Sequence, residues 1–413
     1  MENASMIATD EILTLIVIIL IIGMIFGKLS KIVKLPDVVM FLLAGIIIGP
    51  AILNWASVEG YPIGNQLILT FGSAFILYDG GREIKLRVLN DVKVSVGLLS
   101  SLGVLISAFI VGYAAMWIFH IPFIYALLLG AVVASTDPAT LVPVFKEITL
   151  KDKVKQTVIS ESAFNDAVGA IMVFSILAII QSGTFSLMDN LGQLVQMALG
   201  GILVGAAIGM SLSVLISDTK YGIMHDYASI ISIVSVVIAF IFAEKIGGSG
   251  YMATFTTGLV CGNKKRLRLW VPEEDFITQT HVRETLAFVM RMAIFILLGT
   301  HVNFHVLGKY WMSALIVVIV LMFVARPLSV LACVLPDRKG KWTFNEIGFL
   351  MWVRETGVIP AALSGMIVSM KIPHSDVISS VVFMTVLITL GVQASTTKFV
   401  ARKLNLLENK EEF

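Results

Sequence analysis

Charge is what this 413-residue chain lacks most: Asp, Glu, Lys and Arg together make up 14% of it, against 57% hydrophobic residues. A soluble globular chain is about one quarter charged. The deficit excludes an ordinary soluble fold, because long stretches tolerate no charge at all; mean hydropathy is +0.92. The net charge of +2 carries no basic excess of the kind that binds nucleic acid. Cysteine is nearly absent. Cys261 and Cys333 form neither a disulfide framework nor a metal-ligand spacing, and both read as small buried apolar residues. Met1–Glu11 has no Lys or Arg, so the basic start of a cleavable signal is missing. The basic residues Lys28, Lys31 and Lys34 come after the first apolar run, which is therefore expected to stay as a membrane helix with its N-terminus outside. There is no Gly/Ser linker and no low-complexity tract. No soluble domain is expected after the last apolar run, since Lys398–Phe413 is too short to fold alone.

What is present is a succession of apolar runs. A transmembrane helix needs about 17–25 mostly apolar residues. Thirteen runs qualify, near 11–27, 37–54, 65–80, 94–119, 122–145, 157–181, 189–216, 227–244, 247–262, 284–300, 310–334, 344–370 and 376–397. Those at 65–80 and 247–262 are short and contain glycine. With the N-terminus outside, the alternating cytoplasmic segments hold twenty-four of the thirty Lys and Arg, the outside loops only Lys245, Lys309 and Lys371. Arg291, Arg326 and Arg354 fall within spans. This asymmetry is the positive-inside rule at work, and it places the C-terminus in the cytoplasm. The longest connection, Asn263–Arg283, is basic and then acidic at Glu273, Glu274 and Asp275, and reads as a helix lying on the headgroups.

Ionisable residues inside a span are costly and point to function. They are Asp79, Asp137, Glu161, Asp166, Arg291, Arg326, Arg354 and Glu355. The fifth span carries Thr136-Asp137-Pro138. Proline removes a backbone donor and clashes with the preceding turn. A helix interrupted at membrane depth survives only where it is buried in protein or lines a cavity, and it frees carbonyl oxygens that suit hard cations. The twelfth span carries Arg354, Glu355, Gly357 and Pro360 near its middle. Spans 5 and 12 run in opposite directions, so spans 4–6 and 11–13 form two three-helix units of opposite orientation, each with a broken middle helix. That is the pattern of an inverted-repeat secondary transporter.

In the sixth span, Ser162 and Asp166 are four apart and share a face. Glu161 and Asp166 are five apart, about 140° round the helix at about 100° per residue, so they point in different directions. Glu161 needs its own partner, for which Arg354 is the expected one, as scaffold rather than chemistry. The sequence offers Asp166 no obvious basic partner. A carboxylate at the midplane takes either a proton or a cation, and desolvation raises its affinity for the proton. Such a group couples two ligands by competition, which is the minimal physics of an antiporter. Asp79, in Tyr78-Asp79-Gly80, is a site acid, a funnel residue or an interfacial cap. Arg291 and Arg326 are expected to pair with carboxylates or backbone.

Thr136-Asp137-Pro138, followed about 25 residues later by Glu161-Ser162-Ala163-Phe164-Asn165-Asp166, resembles the NhaP-type cation–proton antiporters. Gly248-Ser-Gly-Tyr-Met-Ala253, Gly258-Leu-Val-Cys-Gly-Asn263, Ala325-Arg-Pro327 and Arg354 support the resemblance, which runs over essentially the whole chain. It implies an all-α polytopic fold of the NhaA-like kind with two broken crossing helices. Residues 1–91 and 219–308 would form a dimerisation domain, 92–182 and 309–400 the transport core, 183–218 a linking helix and 401–413 a short tail. It implies a homodimer in the cell membrane that needs no cofactor. The implied cation ligands are the carboxylates of Asp137 and Asp166, the hydroxyl of Ser162 and the backbone carbonyl of Thr136, with Asp79 near where relatives place another acid. The family's supporting Glu–Arg pair falls on Glu161 and Arg354. Asn165 is the residue associated with electroneutral exchange of Na+, Li+ or K+ for a proton. Glu355 departs from the pattern, standing where many relatives have glycine.

Three rivals are weaker. A channel needs a continuous pore and usually symmetric filter loops. An intramembrane aspartyl protease needs a Gly-x-Gly-Asp motif, which is absent. A symporter of an organic anion on the same fold needs an anion partner at a centre that is instead acidic.

Overall fold

The computed structural model describes residues 2–33, 35, 37–55, 62–136, 145, 150–183, 187–217, 222–264, 273–300, 302 and 304–407. Among them the regular structure is helical, with a single isolated bridge between Leu150 and Leu407. Seven helical segments are long and apolar enough to cross a membrane: Ile12–Val33, Val92–Phe119, Asp152–Ser182, Val195–Leu215, Ala228–Lys245, Leu307–Val334 and Ser375–Lys403. Asp37–Ile48, Phe123–Ala134 and Val358–Ser369 are shorter apolar helices. The runs expected at 65–80 and 284–300 are helical within Pro62–Glu83 and Glu273–Thr300, and the run expected at 247–262 is helical only from Gly250 to Gly262.

Numbered in chain order, the helices are α1 (Glu2–Val33), α2 (Asp37–Ile48), α3 (Pro62–Glu83), α4 (Leu86–Leu98), α5 (Val104–Phe119), α6 (Phe123–Ala134), α7 (Asp152–Ser182), α8 (Leu187–Leu215), α9 (Ala228–Lys245), α10 (Gly250–Gly262), α11 (Glu273–Thr300), α12 (Phe304–Val320), α13 (Arg326–Val334), α14 (Phe344–Trp352), α15 (Val358–Ser369), α16 (Ser375–Ile388) and α17 (Ser395–Lys403). Three joints between them are single π-helical turns: Leu99–Gly103 between α4 and α5, Leu321–Ala325 between α12 and α13, and Thr389–Ala394 between α16 and α17. Such a turn holds more residues than an α turn and often marks a functional site.

Local chemistry fixes several ends. Ser249 caps α10 by accepting a hydrogen bond from the Met252 amide at 3.2 Å. Thr343 and Glu346 form a reciprocal capping box at the start of α14. His120 takes a left-handed conformation (φ 55°) after α5, and the chain turns at once into the apolar helix α6 behind Pro122.

Packing then follows from small residues. A Cβ added at Gly258 of α10 would land on the Tyr78 carbonyl of α3, and one at Gly262 on the Arg82 carbonyl. Gly205 of α8 meets the Ala253 carbonyl in the same way, and Gly45 of α2 meets Ile296 of α11. These helices touch backbone to backbone, as membrane helices do where small residues line the seam. Gly130 of α6 lies on the Ala108 carbonyl of α5 in the same manner. One large apolar core runs from Leu15 of α1 to Leu390 beyond α16, and a second gathers Leu99, Phe145, Leu150, Val154, Phe349, Leu350, Ala401 and Leu406.

Candidate functional site

Two helices stop inside the apolar core. α6 ends at Ala134, and Ser135 is extended (φ −72°, ψ 153°). The helix therefore stops four residues ahead of Pro138. α14 ends at Trp352, and α15 resumes at Val358 after the extended stretch Val353–Gly357. Pro360 falls in the first turn of α15, where a missing N–H costs nothing. Every residue from Val353 to Gly357 is buried.

Buried backbone at such breaks must find partners. Around Val353–Gly357 they come largely from the π turn beyond α16: the Thr356 amide donates to the Thr389 hydroxyl at 3.1 Å, and Gln393 Nε2 donates to the Trp352 carbonyl at 2.6 Å. At the end of α6 they come from Arg354, whose Nη2 donates to the carbonyls of Val133 at 3.1 Å and Ala134 at 2.8 Å. Those carbonyls lack helical partners and carry the negative end of the helix dipole, so a buried guanidinium is well placed there.

This is where one expectation fails. Glu161 pairs with Arg326 of α13, not with Arg354. Both guanidinium ends contact the carboxylate, with Nη2 at 3.0 Å from Oε2. Arg326 also donates to the Leu350 carbonyl at 2.9 Å and the Val353 carbonyl at 3.2 Å. The π turn Leu321–Ala325 immediately precedes Arg326. Arg326 thus does pair with carboxylate and backbone, as its type suggests, and Arg354 serves the broken helix instead.

Thr136, Ser162 and Asn165 do come together. The Thr136 and Ser162 hydroxyls are 2.6 Å apart. The Thr136 amide donates to Asn165 Oδ1 at 3.1 Å, and Asn165 Nδ2 donates to the Thr136 hydroxyl at 2.8 Å. Asn165 therefore closes a ring with the break in the fifth span, using both ends of its amide. Gly169 makes the approach possible: a Cβ there would meet the Ser135 hydroxyl. Asp166 is 5% exposed on the same helix, one turn after Ser162. Asp137, with Pro138 and Thr140, lies outside the described residues.

Asp79 is held elsewhere. Its Oδ1 lies 2.7 Å from Arg283 of α11, while Arg291 and Arg82 add to the positive field around it. Its neighbour Gly80 approaches Ala163 of α7, so this pair stands beside the helix that carries Ser162. Glu355 is 1% exposed within the extended stretch.

Sequence reasoning missed a seam of rings between α7 and α10. Phe164 and Phe255 meet edge to face at 4.8 Å between centroids, and Phe174 stacks on Tyr251 at 5.6 Å. Tyr251 also meets Phe240 at 5.2 Å and places its hydroxyl 3.6 Å from the sulfur of Met366 in α15. Tyr251 sits in the Gly248–Ala253 motif, which was the available signal. Among the described residues no three His, Cys, Asp or Glu side chains gather to hold a metal.

A buried carboxylate beside a pair of hydroxyls and an interrupted helix, set among membrane-length helices, defines a transporter of small cations. The chain belongs to the transmembrane sodium/hydrogen exchanger family, whose description matches residues 14–403. It is 27% identical to the probable Na(+)/H(+) antiporter 2 of Methanocaldococcus jannaschii over 92% of this chain and 94% of that one. It is 26% identical to the K(+)/H(+) antiporter NhaP of Alkalimonas amylolytica over 95% of this chain and 68% of that one. The solved sodium proton antiporter MjNhaP1 of Methanocaldococcus jannaschii (at pH 8) matches with a TM-score of 0.85 at 25% identity, covering 96% of this chain and 99% of that chain. The protein is a cation–proton antiporter and not an enzyme, and symport of an organic solute is set aside.

Proposed function

We propose that exchange takes place at Asp166, by alternating access and with one monovalent cation traded for one proton. The observation that carries this is the ring of Thr136, Ser162 and Asn165, which pins the interrupted fifth span against α7 one turn from the Asp166 carboxylate. Hydroxyl and carboxylate oxygens suit Na+, Li+ or K+, and Asp137 is the second acid in the proposed ligand set, with the Thr136 carbonyl. A carboxylate that must be protonated or cation-bound before crossing couples the two ions, because a bare charge in low dielectric is expensive. Asn165 is a neutral hydrogen-bonding residue where a second acid would add a charge, which supports electroneutral exchange.

The same reading takes the chain as thirteen spans with two inverted units. It is supported by the breaks in spans 5 and 12, and by the π turns Leu99–Gly103 and Leu321–Ala325, one in the first helix of each unit. The transport core (92–182 and 309–400) then moves against a frame (1–91 and 219–308) in a homodimer in the cell membrane, with residues 183–218 linking them. The ring seam between α7 and α10, which lie on opposite sides of that division, suits it. In the same reading the N-terminus is outside and the C-terminus, 401–413, cytoplasmic, an orientation that the Lys and Arg distribution supports.

The test is exchange in proteoliposomes holding a pH dye, with Na+, Li+ or K+ added to wild type and to Asp166→Asn. The expected result is dissipation of the pH gradient by at least one cation in wild type and none in Asp166→Asn. Electroneutral exchange keeps the same rate when the membrane potential is clamped at different values. A rate that follows the potential refutes the stoichiometry, and an active Asp166→Asn refutes the site.

A further inference from the structure

The chain does not run out when its last helix ends. α17 stops at Lys403, and the Leu404 and Leu406 amides return to the carbonyls of Val400 and Ala401 at 3.0 Å each. Asn405 adopts the left-handed conformation (φ 52°) that such a helix end requires. The turn reverses the chain, and Leu406, only 1% exposed, joins the apolar cluster of Phe145, Leu150, Val154 and Phe349. Two sets of polar contacts hold it there. The Lys151 amide donates to the Leu406 carbonyl at 3.3 Å, and Leu150 and Leu407 form an antiparallel bridge. On the other side, Asn345 Nδ2 donates to the Leu404 carbonyl at 3.1 Å.

These anchor points are informative. Leu150 and Lys151 lead directly into α7, the helix of Ser162, Asn165 and Asp166. Asn345 is in the first turn of α14, which runs into the extended stretch carrying Arg354. The same two helix starts are tied a second time, by Lys153 of α7 to Glu346 of α14 at 2.8 Å. Phe145, from the fifth span beyond its break, lies 6.5 Å from Phe349 of α14 between ring centroids. Leu404–Leu407 therefore bridges the cytoplasmic ends of the elements that carry the break-and-site geometry.

We infer that Leu404–Leu407 is a positioning strap, which fixes the start of α7 relative to α14 and so holds the cation ligands in register. This rests on the site proposed at Asp166. The strap is a static brace that travels with the moving helices and does not release during transport. Its anchor is Leu406, which fills the apolar space between α7 and α14 while its carbonyl takes up the Lys151 amide.

Leu406→Ala empties that space, and Leu406→Met refills it. In proteoliposomes with matched protein content, Leu406→Ala is expected to raise the cation KM about tenfold, below the hundredfold that a full ångström of misplacement can cost. The cavity is expected to lower the melting temperature by about 2–6 °C, while maximal rate stays close to wild type and Leu406→Met restores KM. A purely structural role would lower rate and melting temperature together and leave KM unchanged; that result, or an unchanged KM, overturns the strap. Should Leu406→Ala not reconstitute, Leu150→Cys/Leu407→Cys decides. Residues facing across an antiparallel bridge lie within disulfide reach. The oxidised pair is expected to keep wild-type KM and rate, whereas transport lost on oxidation and regained on reduction means the segment must release, which overturns a static brace. A wild type without exchange in the same assay would sink the site itself; active wild type with indifferent strap variants would sink only the strap.

Discussion

Pairing Glu161 with Arg326 rather than Arg354 makes a quantitative demand. Both side chains are buried, at 2% and 4% exposure, and Arg326 holds two backbone carbonyls besides the carboxylate. Removing one partner of such a pair leaves a buried charge and costs about 3–5 kcal/mol. Glu161→Gln keeps the shape and removes the charge, so about 3 kcal/mol is expected, near the lower end of that range. Arg326→Met also abandons the carbonyls of Leu350 and Val353 and belongs at the upper end. For a chain of 413 residues, about 2.1 cal/mol/K of unfolding entropy per residue turns 3–5 kcal/mol into a melting shift of about 3–6 °C. The double variant Glu161→Gln/Arg326→Met removes both charges and should melt well above the sum of the two losses, with a coupling of about 2 kcal/mol. The parallel cycle with Arg354→Met should show much weaker coupling, because Arg354 is engaged by Val133 and Ala134. Thermal unfolding in detergent, followed by tryptophan fluorescence, reads all six proteins. Equal coupling in the two cycles, or a Glu161→Gln shift below about 1 °C on the same scale, would refute the assignment.

Two further predictions concern charges where α3, α10 and α11 meet. Burial, then the neighbouring Arg82, pushes the Lys264 ammonium down to about 8 against the smaller opposing pull of Cys261, and its Nζ shares the Gln279 oxygen with Arg82. The unfolded chain holds that proton up to about pH 10.4. Between these values the unfolded state binds more protons, so stability should rise with pH by about 3 kcal/mol in total. Below pH 8 the fold bears the full penalty, which Lys264→Met removes; melting curves from pH 7 to 10.5 that run parallel for the two proteins would contradict this. Asp79, tied to Arg283, is expected to be dispensable for the exchange itself: Asp79→Asn should keep its cation KM where Asp166→Asn shows no exchange. Loss of exchange in a folded Asp79→Asn protein would return Asp79 to the ligand set.

The part of the candidate site that depends on local geometry was legible in the sequence: Thr136, Ser162 and Asn165 do meet. The five-residue spacing of Glu161 and Asp166 forces them apart on any helix, and the structure sends Glu161 to Arg326. The breaks in spans 5 and 12 were visible as proline and glycine at membrane depth, although the helices stop at Ala134 and Trp352, before the prolines. Partner choice was not legible. Arg326 and Arg354 are both buried arginines within spans, and which one reaches Glu161 depends on how the helices pack, which carries no mark in the sequence. Asp79 was ambiguous for the same reason: Arg283 belongs to a stretch that reads as a headgroup helix, and only packing brings it to 2.7 Å. Of the ring seam only Tyr251 carried a signal, through its motif; its partners did not, because aromatic residues in a span look alike whether they face lipid or protein.

The contrast between the two kinds of seam bears on how such a protein can change over generations. Where Gly258 meets Tyr78 and Gly45 meets Ile296, even one added methyl group has nowhere to go. Those positions are closed to gradual substitution. Between Phe164, Phe255, Tyr251 and Met366, the contact is made by side-chain tips, which can be swapped for others of similar bulk. Substitutions of similar bulk therefore have room to accumulate along this seam, while the backbone seams hold the architecture constant beside it.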